Sequence, residues 1–520
     1  MSHQSRTFTQ LLCLAAMLVA SLLMPAASAR TSDNGNGSFT NPVLYADYPD
    51  PDIIRVGGDF YMVTTTFVSI PGLEILHSND LINWNICEYA VSTLDFGPKY
   101  SLIGGSEYGG GVWAPSIRYH DGTFYIIDNI QSFGTVVFRA TNPAGPWGMT
   151  KLNGYLFDPG LLFDDDGTPL VYNGTGGHIS VAVLDDDLKA IITNTPAYTL
   201  PTGEGSHAYK IKGTYYVFNS VFGQFPVLLC SKSTSRTGPF TTVTVCDNHV
   251  PWASPHQGGI VQLANGDWWG FSLVDSGAVG RDLWEGPVNW RNGFPYLGNP
   301  EAPSIPLTNP EPDTGPFPVL HIPSSDDFVG PTLGLQWQWN HNPDDSKWSL
   351  SANPGKLRLY TELASNYSNA RNTLTLRTEG PTCSGEIKID VRQMQPGDRA
   401  GLSLLEQYFG YIAVFKNGAG QSVVRAVNEN GDLKSPSEDI TDTVNGVQAT
   451  TLWFKVHCDF RSEKAQFSYS TDGLRFTIVG GDFPMHFTLS TFQGDRFGIF
   501  NYNPDLSTGW IDVDFFHESG

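Results

Sequence analysis

Three acids, Asp50, Asp158 and Glu204, stand at the head of similar stretches: Asp50-Pro51-Asp52-Ile53-Ile54, Asp158-Pro159-Gly160-Leu161-Leu162 and Glu204-Gly205-Ser206-His207-Ala208. Each acid adjoins Pro or Gly and an apolar run. A single Asp before Pro is an ordinary turn or cap residue. Three acids in matching contexts call for another reason. Carboxylates brought together raise one another's pKa, a cost a fold bears where proton chemistry requires it. Two further stretches have the same form. Trp113-Ala114-Pro115 precedes Ser116-Ile117-Arg118, and His256 precedes Gln257-Gly258-Gly259-Ile260. A histidine in this position can hold a water or a metal ion through one ring nitrogen.

These residues begin five copies of one pattern: an apolar strand, a Gly/Asp turn, and an aromatic-rich strand that pairs back. The first copy runs from Asp50 through Gly57-Gly58-Asp59 to Phe60-Tyr61-Met62-Val63. The others turn at Asp121-Gly122, Asp164-Asp165-Asp166-Gly167, Lys212-Gly213 and Asn265-Gly266. They recur at intervals of roughly 43 to 64 residues, the spacing of propeller blades. One hairpin cannot bury its own faces, whereas a ring of blades can. The reading is a five-bladed β-propeller whose first strands line a central channel. The residues heading those strands then converge at one mouth. The run Asp164 to Gly167 lacks the ligand spacing of a calcium loop and reads as a solvated turn.

The rest of the chain sets the context. At 520 residues it exceeds one core, and at least two domains are expected. A formal charge of -22, from 30 Lys+Arg against 52 Asp+Glu, excludes strong binding to a phosphate backbone. Residues 1–29 read as a signal peptide, with Arg6, an apolar core from Leu11 to Met24, and Ala27-Ser28-Ala29 as the cleavage site. The protein is therefore expected to be secreted or periplasmic, with no membrane attachment after cleavage. Residues 30–40 read as a disordered lead and 41–310 as the propeller. The Pro-rich stretch 311–325 reads as a linker, and 326–518 as a β-sandwich of short alternating strands. Of the five cysteines beyond the signal, Cys230 and Cys246 are the expected disulfide pair, on neighbouring strands of one blade.

Residues 41–298 resemble glycoside hydrolase family 43. The motifs are Asn41-Pro42-Val43-Leu44 with Tyr48-Pro49-Asp50-Pro51-Asp52, Val112-Trp113-Ala114-Pro115, and Phe157-Asp158-Pro159-Gly160-Leu161-Leu162-Phe163-Asp164-Asp165-Asp166-Gly167. Glu204-Gly205 with Tyr209-Lys210, and Gly280-Arg281, complete the set. Thr65-Thr66-Phe67 and Pro71-Gly72 with His77-Ser78 resemble the exo-acting β-xylosidase branches, which carry a C-terminal concanavalin-like sandwich. Two departures stand out: Gly160 where the family has Ser, and Val68-Ser69-Ile70 where it has aromatic residues.

The resemblance implies an inverting glycosidase. Asp50 would be the general base, Glu204 the general acid, and Asp158 the neighbour that tunes and orients Glu204. Inversion needs acid and base roughly 6.5–9.5 Å apart to admit a water. Phe67 and Trp113 would wall the terminal-sugar pocket, and Arg281 would donate to a sugar hydroxyl or to an acid. His256 would match a channel histidine near a calcium ion, held directly or through water and structural in role; the chemistry itself would require no cofactor. The substrate expected is a xylo-oligosaccharide or arabinoxylan fragment, cleaved to xylose from the non-reducing end. The alternatives are an α-L-arabinofuranosidase or dual enzyme, an endo-acting arabinanase, and a carbohydrate-binding protein without catalysis. The intact acid set weighs against the last.

Overall fold

The computed structural model describes residues 31–223, 226–247, 255–418, 420–505 and 508–520. The expected signal peptide and residues 251–254 ahead of His256 lie outside them.

The chain is all-β, a five-bladed propeller joined to a sandwich. Blade one comprises strands Asp52–Val56, Asp59–Thr64, Gly72–Ser78 and Trp84–Val91. The inner strands of the other blades are Val112–His120, Gly160–Phe163, Glu204–Ile211 and Pro255–Gln262. Each pairs antiparallel with the strand that follows its Gly/Asp turn, as the repeat predicts. The aliphatic positions of adjacent blades then pack face to face. Val63, Ile75, Ile117 and Ile126 share one such cluster, and Leu170, Val181, Ala208 and Val217 another.

The start of the chain departs from expectation. Ser38–Thr40, assigned to a disordered lead, is a strand paired antiparallel with Thr308–Pro310. Phe39 is fully buried against the blade-one core and supplies the reason. The disulfide expectation also fails. Cys230 and Cys246 do lie on adjacent strands, but their register partners are Val243 and Leu228, and neither is in a disulfide. Cys383 and Cys458, not considered as a pair, face each other across two sandwich strands, likewise without a disulfide.

In the sandwich, one sheet contains Arg399–Leu405, Gly410–Asn417, Gly420–Val427 and Arg496–Asn503. The other contains Thr382–Asp390, Thr451–Asp459, Lys464–Ser470 and Trp510–Ser519. Leu402, Ile387, Phe454, Phe497 and Val513 fill the space between them.

The two domains are not separable bodies. Ser69–Ile70 of the propeller pairs with Gln338–Asn340 and forms the edge strand of a sandwich sheet. Arg377 of the sandwich makes a two-pronged ion pair with fully buried Glu74 of blade one, at 3.1 and 2.6 Å. Removing one partner of such a pair strands a buried charge. His341 sits in the same seam. Its Nε2 accepts the Glu107 backbone N–H at 3.1 Å and its Nδ1 faces Asn340 Oδ1 at 3.0 Å, the partners of a neutral imidazole.

Burial pushes the His341 imidazole down to about 3. The unfolded chain binds a proton on this ring below about 6.5, and the folded chain does not. Stability from neutral His341 is therefore complete above that value and falls as pH drops toward 3, by about 1.4 kcal/mol per pH unit. Denaturant unfolding at pH 6.5 and 5 should show His341→Gln losing less stability than wild type, by about 2 kcal/mol. Equal losses in the two proteins would contradict this account of the seam.

Candidate functional site

All five inner strands begin with the same backbone event. Asp50, Ala114, Asp158, Gly205 and Gln257 have φ of 53°, 47°, 43°, 68° and 46°. These are left-handed values, and for a residue other than glycine each costs about 1–3 kcal/mol. The kink recurs at one position in every blade, so it is part of how the strands meet the axis. It also defines a register. The kinked residue is an acid in blades one and three, and an amide, Gln257, in blade five. The residue before the kink supplies Trp113, Glu204 and His256. The acids are thus not at equivalent positions, as the sequence comparison had them: Glu204 precedes its kink by one residue.

Two residues past the kinks of blades one, two and four stand Asp52, Ser116 and His207, which meet together with Arg118. Asp52 Oδ2 accepts from Ser116 Oγ and Arg118 Nη1, both at 2.7 Å, and Asp52 Oδ1 lies 3.2 Å from His207 Nδ1. Burial opposes the charge, but Arg118, His207 and Ser116 hold the Asp52 carboxyl down to about 2. Gly160 occupies this position in blade three, where a Cβ would strike the Ser206 carbonyl. That steric limit accounts for the departure from Ser noted above. Asp52 and its partners thereby form a fixed ionic floor beneath the mouth.

Above this floor lies a cavity of about 570 Å³ lined by Asp50, Asp158, Glu204, Trp113, Arg281 and His256, among others. Asp50 is buried, and both its oxygens are engaged. Thr65 Oγ1 donates to Oδ2 at 2.6 Å and Arg281 Nη1 donates to Oδ1 at 3.2 Å. Glu204 is more open, and its Oε2 accepts from Thr175 Oγ1 at 2.8 Å. Asp158 touches the cavity but is otherwise ringed by protein. That enclosure, then the charges of Glu204 and Asp50, push its carboxyl well above the usual range. Gln257 Nε2 donates to Asp158 Oδ2 at 3.2 Å. The site therefore holds one acid, Asp50, pinned by a guanidinium and a hydroxyl, and a second, Asp158, whose enclosure and acidic neighbours favour its protonated form.

The expected supporting residues divide. Trp113 faces the cavity. Phe67 does not: it is 2% exposed, stacked edge-on behind Trp113 at 5.2 Å and beneath Arg281. It shapes the pocket wall from behind because its own left-handed φ of 51° turns it inward. His256 is buried at the cavity edge, with Asp275 Oδ2 3.6 Å from Nε2 and the Phe222 ring packed against it. Calcium takes six to eight oxygen ligands. Among the described residues no group of three or more His, Cys, Asp or Glu side chains is gathered for a metal.

One wall went unanticipated because it comes from the other domain. The sandwich segment through Phe487, Leu489 and Phe492 closes a side of the cavity. Phe492 packs edge-on against Trp113 at 5.0 Å, and its carbonyl accepts from Arg281 Nη2 at 3.0 Å. Thr488 and Thr491 anchor the segment by donating to Glu406 Oε1, both at 2.6 Å. Arg281 thus touches the Asp50 carboxylate with one prong and the sandwich with the other. Nothing local in residues 487–492 marks them, since their role depends on domain packing.

Comparison with known proteins agrees with this architecture. Residues 39–295 match the model for glycosyl hydrolases family 43, and residues 325–518 match the β-xylosidase C-terminal concanavalin A-like domain. The chain is 29% identical to a β-xylosidase of Formosa agariphila, over 93% of this chain and 90% of that protein. It is 30% identical to a non-reducing-end α-L-arabinofuranosidase of Bacteroides ovatus, over 92% and 94%. A bifunctional GH43-CE structure from Bacteroides eggerthii superposes with a TM-score of 0.85 at 34% identity. That match covers 95% of this chain and 64% of the longer protein. A propeller with this acid-lined mouth, closed by a sandwich of the matching kind, places the chain in glycoside hydrolase family 43.

Proposed function

We propose that the protein releases xylose from the non-reducing ends of β-1,4-xylo-oligosaccharides by single displacement. The observation that supports the exo reading is the wall that Phe487, Leu489 and Phe492 of the sandwich add to one side of the propeller mouth. In this reading Asp50 takes a proton from the attacking water. Arg281 and Thr65 hold both Asp50 oxygens in place and leave the carboxyl no freedom to swing onto the sugar as a nucleophile. Glu204 protonates the leaving oxygen, and its greater exposure suits a group that must reach the departing sugar. Asp158 stands beside Glu204, where it would orient the acid, and a charge on Asp158 would strengthen the hold of Glu204 on its proton. Trp113 and Phe492 offer the apolar walls against which a pyranose ring packs. Water activation is assigned to Asp50 alone, with no metal step.

A second reading, α-L-arabinofuranosidase or dual activity, is favoured by the likeness to the Bacteroides ovatus arabinofuranosidase. It is also favoured by Val68-Ser69-Ile70, where Ser69–Ile70 is committed to the sandwich sheet and not to the pocket. Product profiling on xylohexaose and on branched arabinoxylan separates the readings. Xylose appearing one unit at a time from xylohexaose supports the first. Internal cuts, or arabinose as the sole product, would replace it.

The acid roles make separate demands. Asp50→Asn should reduce turnover by roughly 10²–10⁴-fold, the usual scale for lost general-base catalysis, and chelators should leave wild-type rates unchanged. Glu204→Gln should be severe on xylobiose and mild on an aryl xyloside whose phenolate leaves with little protonation. Asp158→Asn should bring the basic limb of the pH–rate profile to lower pH, because Glu204 loses the negative neighbour that helps it keep its proton. Equal losses from Glu204→Gln on both substrates would remove it from the acid role.

A further inference from the structure

We propose that Gln257 is a positioning residue that holds the Asp158 carboxyl in place beside Glu204 and favours its ionised form. The inference rests on the reading of Glu204 as general acid and assigns a new residue to that step. Gln257 occupies in blade five the kink position that Asp50 and Asp158 occupy in blades one and three, with the same left-handed φ. Its backbone N–H donates to Ser220 Oγ at 2.7 Å, and Ser220 is the register partner of Glu204. Its side-chain amide, 6% exposed, donates to Asp158. The same amide lies flat against Gly205, where any Cβ would collide with it. Gly205 follows Glu204 directly, and its own backbone N–H also points at the Asp158 carboxyl. Gln257 therefore touches one acid, Asp158, and packs against the residue that follows the other.

The chemistry follows from the donors. Enclosure and the nearby charges favour a proton on Asp158. Two N–H groups act the other way, because a donor stabilises the ionised acceptor and gains nothing from the acid form. Glu204 accepts from the Thr175 hydroxyl, a single neutral donor. By donating to Asp158, the Gln257 amide opposes that push and favours the charge that makes Asp158 a negative neighbour to Glu204. The other titratable groups around the pair are Asp50 with Arg281 against it, Tyr155, and His256 with Asp275.

Two variants test the idea. Gln257→Met keeps the length and the contact with Gly205 but removes the donor. Gln257→Asn keeps an amide that suits a left-handed backbone but falls short of Asp158. For both, kcat/KM is measured against pH on xylobiose and on an aryl xyloside, beside wild type and Glu204→Gln. The expected result is a basic limb displaced by about one unit to lower pH, a tenfold change in proton affinity, with the loss concentrated on xylobiose. An unmoved limb with equal losses on both substrates would mean that Gln257 only packs, and would overturn the proposal. If Glu204→Gln itself fails to discriminate between the substrates, the reading of Glu204 falls and the proposal with it. Carbon-13 carboxyl spectra give a second readout: the Asp158 carboxyl should lose its charge at higher pH in Gln257→Met than in wild type. An Asp158 titration that is the same in both proteins would overturn the proposal.

Discussion

Everything at this site depends on a backbone constraint repeated around a ring. Five inner strands must bring their ends to one axis, and each does so through a single left-handed residue: Asp50, Ala114, Asp158, Gly205 or Gln257. The cost is about 1–3 kcal/mol at each of the four that are not glycine. It is offset by what the turn makes available. Residues past the kink lock together as the floor built on Asp52, Arg118 and His207, while residues at or before it face the cavity. Chemistry and fold closure therefore use alternate positions of the same short segments. The same constraint separates the roles of the acids. Asp50 and Asp158 sit on the kink and are fixed by neighbours, whereas Glu204 precedes it and stands more open to the pocket.

Arg281 carries the constraint across the domain boundary. Its guanidinium contacts Asp50, the Phe492 carbonyl and the Phe67 ring, and its backbone N–H is held by Asp47 at 3.0 Å. A planar fork with several donors suits this work, and lysine could not reproduce it. The sandwich is thus a wall of the site, held against the propeller by the edge strand Ser69–Ile70 and by Arg377 on Glu74. Family 43 membership and the geometry agree on this division of labour between the domains.

Much of this was legible in the residues. The Gly/Asp hairpins marked all five blades, alternation marked most sandwich strands, and the acids stood out through their repeated context. What was not legible depends on contacts between distant segments. Phe67 reads as a pocket aromatic until its φ turns it behind Trp113. Residues 487–492 have no signal of their own, because Glu406 and Arg281 give them their place. Gln257 looks like a spacer between His256 and two glycines, and its role emerges only when the blades are superposed by their kinks. Strand neighbours made Cys230 and Cys246 a reasonable pair, but adjacency without register does not bring two sulfurs together. Ser38–Thr40 is polar and Gly-flanked, and only the pocket for Phe39 makes it a strand.

The central claim is that water attacks directly, with Asp50 pinned as a base and unable to become a nucleophile. Proton NMR of the first moments of hydrolysis tests it most directly, before mutarotation mixes the products. From a β-xyloside the account predicts α-xylose as the first sugar released. Early β-xylose would require a covalent intermediate and would remove Asp50 from the role that Arg281 and Thr65 hold it in.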